Sequence, residues 1–266
     1  MPLAVCATPI GNLEDITLRV LAELRAADVV LAEDTRHTRG LLARHGIPGR
    51  LLSYHEHNEA ARVAELLPRL EAGERIALVS DAGMPVISDP GARLVRAALD
   101  AGIEVTVLPG PSAVETALVA SGLGGGGYAF VGFLPRKAGE LAALWRELGS
   151  WTWPVVAFES PQRLPATLQS LAAFDPAREV AVCRELTKRF EEVVRGRADE
   201  LAVRFDSPPK GEITLVVGAA EAVSDPAAAR AAVAELVEAG TPRGVAAEVV
   251  ARLTDLSRND LYRGSL

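Results

Sequence analysis

The 266-residue sequence has only two cysteines, no long apolar run and no excess of positive charge. Cys6 and Cys183 both lie inside apolar stretches, so we expect two buried, reduced thiols and no disulfide framework. No stretch approaches the roughly 20 apolar residues that a membrane span needs, which predicts a protein without transmembrane helices. The first residues form an apolar run without a basic segment or a cleavage site, which predicts a strand and a cytoplasmic location.

The formal net charge of −7 argues against a protein that coats nucleic acid non-specifically, because such binding depends on neutralising phosphates. A local basic groove is still compatible with this charge. The 28 lysines and arginines recur in predicted loops and helix starts. The alternative to a groove is that these basic residues are scattered over the surface without a common function.

Short apolar runs alternate with helical periods over the first hundred residues, a pattern that predicts βαβ units and a parallel sheet. We place strands there at residues 3–7, 28–32, 50–53, 75–79 and 103–108. The glycine-rich stretch 121–127 lacks the spacing of a dinucleotide fingerprint, and we interpret it as a linker. Further strands are predicted at 128–132, 153–158, 179–183, 191–197 and 212–217. Two of them have little between them, so the second sheet is predicted to be mixed.

We therefore predict an α/β fold with two α/β domains and a small helical tail. The predicted boundaries are 1–121 for the parallel domain, 122–220 for the mixed domain and 221–266 for the tail. The tail is alanine-rich from Asp225, and Pro242 marks the start of a second helix. Its end superficially resembles a helix-turn-helix, but no basic recognition face is apparent, so we favour small capping helices.

Four loops follow the predicted strand ends of the first domain, and three are unusually polar or rich in glycine and proline. The carboxyl ends of parallel strands meet at one edge of the sheet, where ligands bind in open α/β folds. The loop 80–91 contains two glycines and two prolines, so we expect it to be stiff and shaped. The sequence predicts a ligand cleft at this edge, with a tight turn as the alternative for each loop taken singly.

All four histidines lie between His37 and His57, the most uneven distribution in the chain. His55 and His57 could suggest a metal site, but no third ligand has a usual spacing and no thiol is near. We therefore predict no metal. Histidines here are more consistent with a polar face that contacts substrate.

Residues 33–36 place two acids beside a basic residue at a strand end. Asp34 or Thr35 can cap the helix that follows, which would account for one of these residues. A cap does not explain both acids together with Arg36 and Arg39. The segment is therefore a candidate for chemistry.

Nine motifs follow one another along roughly residues 1–218, at 7–17, 32–38, 53–58, 80–91, 109–113, 132–137, 159–161, 184–188 and 210–213. Together they resemble the ribosomal small subunit methyltransferase I family, a branch of the tetrapyrrole methylase superfamily. Two positions depart from the family pattern. Met84 stands where the family usually has threonine, and Gln162 stands where it usually has histidine.

The resemblance implies two α/β domains of the tetrapyrrole methylase type with S-adenosylmethionine between them, and a homodimer. It further implies 2′-O-methylation of a cytidine at the decoding centre, in 16S ribosomal RNA within the small ribosomal subunit. The positions that match the family's cofactor contacts are Pro9, Asp81, Ala82, Gly83, Val86, Ile87, Ser112 and Ala113. These positions agree with the argument from strand ends.

A ribose hydroxyl is a weak nucleophile, so methyl transfer to it is helped by a base or a nearby cation. Without ranking them, we name as catalytic candidates Glu33, Asp34, His37, Glu159 and Lys188. RNA contacts are predicted for Arg36, Arg39, His55, His57, Arg136, Lys137 and Arg189. Two alternatives stay open: a methylase of a tetrapyrrole precursor, and a non-catalytic sensor that binds S-adenosylmethionine.

Overall fold

The computed structural model describes residues 2–220, 226–254 and 256–264, so the predicted start of the tail at residues 221–225 lies outside the described residues. The first sheet contains β1 (Leu3–Cys6), β2 (Val29–Ala32), β3 (Leu51–Ser53), β4 (Ile76–Val79) and β5 (Val105–Leu108). Its strand order is β3-β2-β4-β1-β5, and all pairs are parallel. The predicted parallel sheet is confirmed, with strand ends shifted by at most two residues.

Helices cover both faces of this sheet, and they are α1 (Leu18–Ala26), α2 (Thr35–Arg44), α3 (Glu59–Glu71) and α4 (Ala92–Asp100). Successive side chains of a strand point to opposite faces. In β1, Ala4 and Cys6 pack in the cluster that contains α1 and α2, while Leu3 and Val5 pack in the cluster that contains α3 and α4. This double burial explains why β1 is apolar throughout.

The second sheet contains β6 (Ala129–Phe133), β7 (Val155–Glu159), β8 (Glu179–Arg184), β9 (Glu192–Arg197) and β10 (Ile213–Val217), in the order β6-β7-β10-β8-β9. The β6–β7 pair is parallel and the other pairs are antiparallel, which confirms a mixed sheet. Three helices pack on one face around the buried Trp145, and they are α6 (Ala138–Leu148), α7 (Leu164–Phe174) and α8 (Ala198–Arg204).

Helix α5 (Ala113–Ser121) joins the two sheets. It follows β5 in the chain, but its buried Val114 and Ala117 pack on the other face of the second sheet. Ile10, from the loop after β1, belongs to the same apolar cluster. The predicted boundary at residue 121 stays a prediction, and near it Ile10 and α5 pack against buried side chains of the second sheet.

Beyond the second sheet, the tail forms α9 (Pro226–Glu238), α10 (Arg243–Thr254) and α11 (Arg258–Gly264). The prediction of small helices is confirmed, and α10 begins directly after Pro242. The buried apolar residues of the three helices form a separate cluster around Val233, Ala247 and Leu261. The tail therefore has a small core of its own, which the expectation of capping helices did not include.

Cys6 and Cys183 are free and buried, as predicted. Burial, followed by the charge of Glu23, raises the pKa of the Cys6 thiol to about 12. Burial likewise raises the pKa of Cys183 to about 11. Both thiols are therefore protonated and unreactive at neutral pH. Within the described ranges, no helix is long and apolar enough to cross a bilayer.

Candidate active site

A cavity of about 540 Å³ lies between the two sheets. Its volume falls in the range of roughly 300 to 1,000 Å³ that is usual for small-molecule sites. One wall consists of the loops that follow β1, β2, β4 and β5, and the other consists of residues of the second sheet and its loops. The cavity thus lies at the sheet edge where the sequence predicts a cleft.

Backbone hydrogen bonds hold the loop 80–91 against the loop after β1. The Thr8 N–H donates to the Gly83 carbonyl at 2.9 Å, and the Gly83 N–H donates to the Thr8 carbonyl at 3.0 Å. Gly83 has a φ of 81°, which only glycine adopts without strain. Val86 and Ser88 also have positive φ, of 77° and 69°. Such backbone strain persists where the surrounding structure enforces it, and it is concentrated at functional sites.

Six of the eight predicted cofactor contacts line the cavity, namely Asp81, Ala82, Gly83, Ile87, Ser112 and Ala113. Pro9 and Val86 do not line it. Ile10 takes the place of its neighbour Pro9, and Val86 packs against the core cluster of α3 and α4. Of the two departures from the family pattern, Met84 lines the cavity, whereas Gln162 is exposed outside it.

Six carboxyl side chains line the cavity, and three of them lie on loops that follow strands of the first sheet: Glu33, Asp81 and Asp89. Burial raises the pKa of Asp89 to about 7, and the charges of Glu33 and Asp81 add to the effect. Partial burial and the charge of Asp81 also raise the pKa of Glu33, against the opposing influence of His55. The cavity therefore concentrates negative charge and favours a cationic ligand.

The raised pKa of Asp89 predicts a pH-dependent stability. The folded protein holds this proton more tightly than the unfolded chain does, so the stability contribution of Asp89 falls as the pH rises from about 4 to 7. We expect Asp89→Asn to raise the melting temperature at pH 8, and to raise it less at pH 5. Differential scanning calorimetry at both pH values measures this.

Asp100→Asn is the matched control for Asp89→Asn, because the Asp100 carboxylate is exposed and pairs with Arg96 at 3.0 Å. It should give no gain in melting temperature at pH 8. Equal losses for Asp89→Asn at both pH values would contradict the prediction.

Two of the catalytic candidates from the second strand end do not line the cavity. The Asp34 side chain caps α2, accepting from the Arg36 N–H at 2.8 Å, and it pairs with the Arg36 guanidinium at 2.8 Å. The Arg36 side-chain hydrogen bond holds the pKa of Asp34 well below its usual value, so Asp34 is a poor base. His37 lies exposed in the first turn of α2. The capping alternative therefore accounts for Asp34.

Glu159 lines the cavity, but its carboxylate is fully engaged. It is 3% exposed and accepts hydrogen bonds from Arg163 Nε at 2.7 Å, Thr167 Oγ1 at 2.6 Å and the Ser160 N–H at 2.7 Å. These contacts make it a structural anchor between β7 and α7. Both of its carboxylate oxygens therefore already accept hydrogen bonds from other groups.

Lys188 lies beside the cavity and is also engaged. Its Nζ is 3.0 Å from both Glu185 Oε1 and Glu212 Oε2. Burial opposes its charge, but the hydrogen bonds to the two carboxylates outweigh this and raise the pKa of Lys188. It stays a cation and is not a base. Of the catalytic candidates, Glu33 combines a place in the cavity with a carboxyl that has no hydrogen-bond or ion-pair partner among the described residues.

The seven predicted RNA contacts lie outside the cavity wall. Arg36 pairs with Asp34, Lys137 pairs with Glu140 at 2.9 Å, and the His55 ring contacts Asn58 at 3.1 Å. The structure exposes the other four and gives them no ion pair with a described residue: Arg39, His57, Arg136 and Arg189. Because no described carboxylate competes for them, these four side chains are available to a polyanion.

The sequence reasoning missed most of the second wall. Its aromatic part consists of Tyr128, Phe130, Phe133 and Phe158, and β8 and β10 contribute Cys183 and Thr214. One signal was present: Thr214 is a polar residue in an otherwise apolar, buried strand. A hydroxyl in that position indicates a polar neighbour or a cavity.

In the described part of the chain, no group of three or more His, Cys, Asp or Glu side chains is placed to hold a metal ion. His55 and His57 instead contact each other edge to face, with ring centroids 6.0 Å apart. The geometry of the two rings therefore gives no support to a metal site at this pair.

Comparisons with known proteins agree with the site. The family description Tetrapyrrole (Corrin/Porphyrin) Methylases matches residues 2–202. A relative from Mesorhizobium japonicum, named ribosomal RNA small subunit methyltransferase I, is 45% identical over 98% of this chain and 90% of its own length. A relative of the same name from Thermotoga maritima is 46% identical over 82% of this chain and 99% of its own length.

Solved structures share the fold at lower identity. Uroporphyrin-III C-methyl transferase from Thermus thermophilus, complexed with S-adenyl homocysteine, has a TM-score of 0.57 and 21% identity over 81% of this chain and 96% of its own. Diphthine synthase has a TM-score of 0.62 and 17% identity over 82% of this chain and 89% of its own. The predicted cofactor, S-adenosylmethionine, is confirmed for the family. This chain belongs to the tetrapyrrole methylase family and, within it, to the relatives named ribosomal RNA small subunit methyltransferase I.

Proposed function

We propose that this protein transfers a methyl group from S-adenosylmethionine to the ribose 2′-hydroxyl of a cytidine in 16S ribosomal RNA, at the decoding centre of the small subunit. The observation that carries the proposal is the high identity to relatives named for methylation of small-subunit ribosomal RNA, over nearly the whole chain. The shared fold does not select the acceptor, because solved structures with this fold include methylases of porphyrins as well as diphthine synthase.

The cavity suits S-adenosylmethionine in size and chemistry. The less exposed aromatic rings of its second wall, Phe130 and Phe158, fit an adenine ring, and its carboxyl groups fit the positive charge of the donor. Asp81, Ala82 and Gly83, held by the hydrogen bonds to Thr8, would form the part of the site that binds the donor. When bound, the donor supplies a methyl group that is already activated on a sulfonium.

Glu33 is the residue that we assign to the acceptor hydroxyl. Its carboxyl lies in the cavity without a hydrogen-bond or ion-pair partner among the described residues, and its pKa is raised by burial and by Asp81. A base with a pKa closer to neutrality removes a proton more effectively at working pH. Glu33 would therefore accept the hydroxyl proton, while the rigid loops around it align the reacting groups.

The RNA would be held outside the cavity by exposed cations. Arg39, Arg136 and Arg189 are available for phosphates, and contacts of this kind position a nucleic acid without reading its sequence. The overall acidic charge then restricts binding to this region of the surface. We propose that the protein acts as a homodimer in the cytoplasm, and sedimentation of the purified protein tests the dimer.

The deciding experiment maps 2′-O-methyl groups in small subunits from cells that lack the protein, before and after incubation with protein and donor. We expect one cytidine of 16S ribosomal RNA to regain its methyl group. Glu33→Gln should lose most turnover, by about 100-fold or more, and should keep its affinity for the donor in calorimetry. Glu71→Gln, an exposed carboxyl at the end of α3, is the control and should match the unaltered protein.

Two outcomes would contradict the proposal. Label that appears only in a tetrapyrrole precursor, offered in parallel with the subunits, would indicate the alternative methylase. Donor binding without turnover on any subunit preparation or precursor would indicate a sensor.

A further inference from the structure

Strand β6 contains a bulge that changes the direction of one side chain. In its pairing with β7, Phe130 is opposite Val156 and Phe133 is opposite Phe158, so three steps along β6 match two along β7. Gly132, with a φ of 68°, lies within this irregularity. In a regular strand, residues 130 and 133 would face opposite sides of the sheet. The extra residue turns Phe133 to the side of Phe130, and bulges of this kind often reorient a side chain next to an active site.

The reoriented ring lies at the cavity and is accessible. Phe130 and Phe133 both line the cavity and both pack edge to face on Phe158, with ring centroids 5.0 and 5.5 Å apart. Phe133 is nevertheless 65% exposed, whereas the next residue, Leu134, is 2% exposed. The chain therefore places a large aromatic ring in solvent at the mouth of the cavity, although burying it would favour folding.

The surroundings of Phe133 indicate what covers it. Ile87, on the opposite wall of the cavity, is also apolar and 51% exposed. Arg136, three residues after Phe133, is exposed and has no ion pair with a described residue. An apolar slot with a nearby cation matches the chemistry of an unpaired nucleotide, which has a flat ring and a phosphate.

We infer that Phe133 is the stacking platform for the base of the acceptor nucleotide, with Ile87 on the opposite wall of the slot and Arg136 on a flanking phosphate. This inference rests on the proposed function. Stacking on Phe133 holds the unpaired nucleotide so that its ribose enters the cavity toward Glu33. Phe133 is thus a substrate-positioning residue that contacts the acceptor and not the donor.

The test replaces the ring while keeping an apolar side chain. For Phe133→Leu, we expect the KM for unmethylated small subunits to rise by about 10-fold, because the stacking of the base on an aromatic ring is lost. The turnover number should fall much less, and the Kd for S-adenosylmethionine in calorimetry should not change. Phe133→Tyr keeps the ring and should restore the KM.

Phe174→Leu is the matched control, because Phe174 is 42% exposed at the end of α7 and does not line the cavity. It should leave the KM, the turnover number and the donor Kd as they are. An unchanged KM for Phe133→Leu would overturn the inference, and a weaker donor Kd with an unchanged KM would assign the ring to the donor instead. If the unaltered protein methylates no RNA, the proposed function fails and this inference fails with it.

Discussion

Gly11→Ala is expected to lower turnover by about 100-fold, although it adds one methyl group. Gly11 lies in the loop after β1, where a Cβ atom would be 2.5 Å from Lys188 Cγ, 2.7 Å from Thr187 Oγ1 and 3.0 Å from the Leu186 carbonyl oxygen. Two ion pairs hold the Lys188 side chain, the Asn12 N–H holds Thr187 Oγ1, and the carbonyl is part of the backbone, so none of the three can move away easily. The loop would therefore move away from the second sheet.

That movement would disturb both walls of the cavity. Ile10 and Leu186, which neighbour the clash, both line the cavity, and the adjacent Asn12 N–H donates to Thr187 Oγ1 at 3.0 Å across the same contact. Thr187 itself has a φ of 64°, so its loop has little freedom to adapt. A displacement of about 1 Å at a reacting group is enough to reduce a rate by about 100-fold.

Turnover on small subunits and donor affinity by calorimetry measure the effect of Gly11→Ala. Gly40→Ala is the control, because Gly40 lies inside α2, where an added methyl group would meet no atom within 4 Å. It should keep full activity and gain up to about 1 kcal/mol of stability. Equal activity of the two variants would contradict the expected clash.

Glu159→Ala should lower the free energy of unfolding by about 3 to 5 kcal/mol, the usual cost of removing one partner of a buried ion pair. The change leaves Arg163, Thr167 and the Ser160 N–H without their acceptor. Arg163 keeps a hydrogen bond to the Leu134 carbonyl at 2.7 Å and is partly exposed, which places the expected loss near the lower end. Urea unfolding measures it.

Two further variants separate this structural role of Glu159 from a catalytic one. Glu140→Ala removes an exposed pair with Lys137 and should cost less than about 1 kcal/mol. Glu159→Gln keeps an acceptor for Arg163 and should recover part of the stability. If Glu159→Gln is stable but loses turnover as completely as Glu33→Gln, Glu159 has a catalytic role and our assignment is wrong.

The strands, and the wall of the cavity that belongs to the first sheet, could be predicted from the sequence. Apolar runs located most of the strands, because buried strands in this fold carry few polar residues, whereas half of the residues of β9 are charged. Ligands bind at the carboxyl ends of parallel strands, and this rule grouped Asp81 with Ser112, which are far apart in the chain but line one cavity. Both arguments depend on local patterns and a general rule of topology.

Most residues of the second wall could be identified only from the structure. Alternation along β7 indicates that Phe158 faces one side, but it does not tell whether that side meets a helix or a cavity. The ion pairs of Lys188 with Glu185 and Glu212 join a loop to the start of a strand about two dozen residues later, a separation that no periodicity encodes. The role of Asp34, in contrast, could be predicted locally. The sequence already offered a helix cap as an alternative, and the structure shows that its side chain caps α2.

The central position of β1 also constrains the order in which the chain folds. Residues 3–6 pair with β4 on one side and β5 on the other, so the sheet is incomplete until residue 108 has been synthesised. At about 5 to 20 residues per second, a nascent chain would wait about 5 to 20 s for that strand. Until residue 79 has been synthesised the apolar β1 has neither partner, and until residue 108 it can pair only with β4, which exposes it to chaperones and to aggregation on the ribosome. Codon changes that slow translation between β1 and β5 would therefore lower the yield of folded protein more than the same changes after β5.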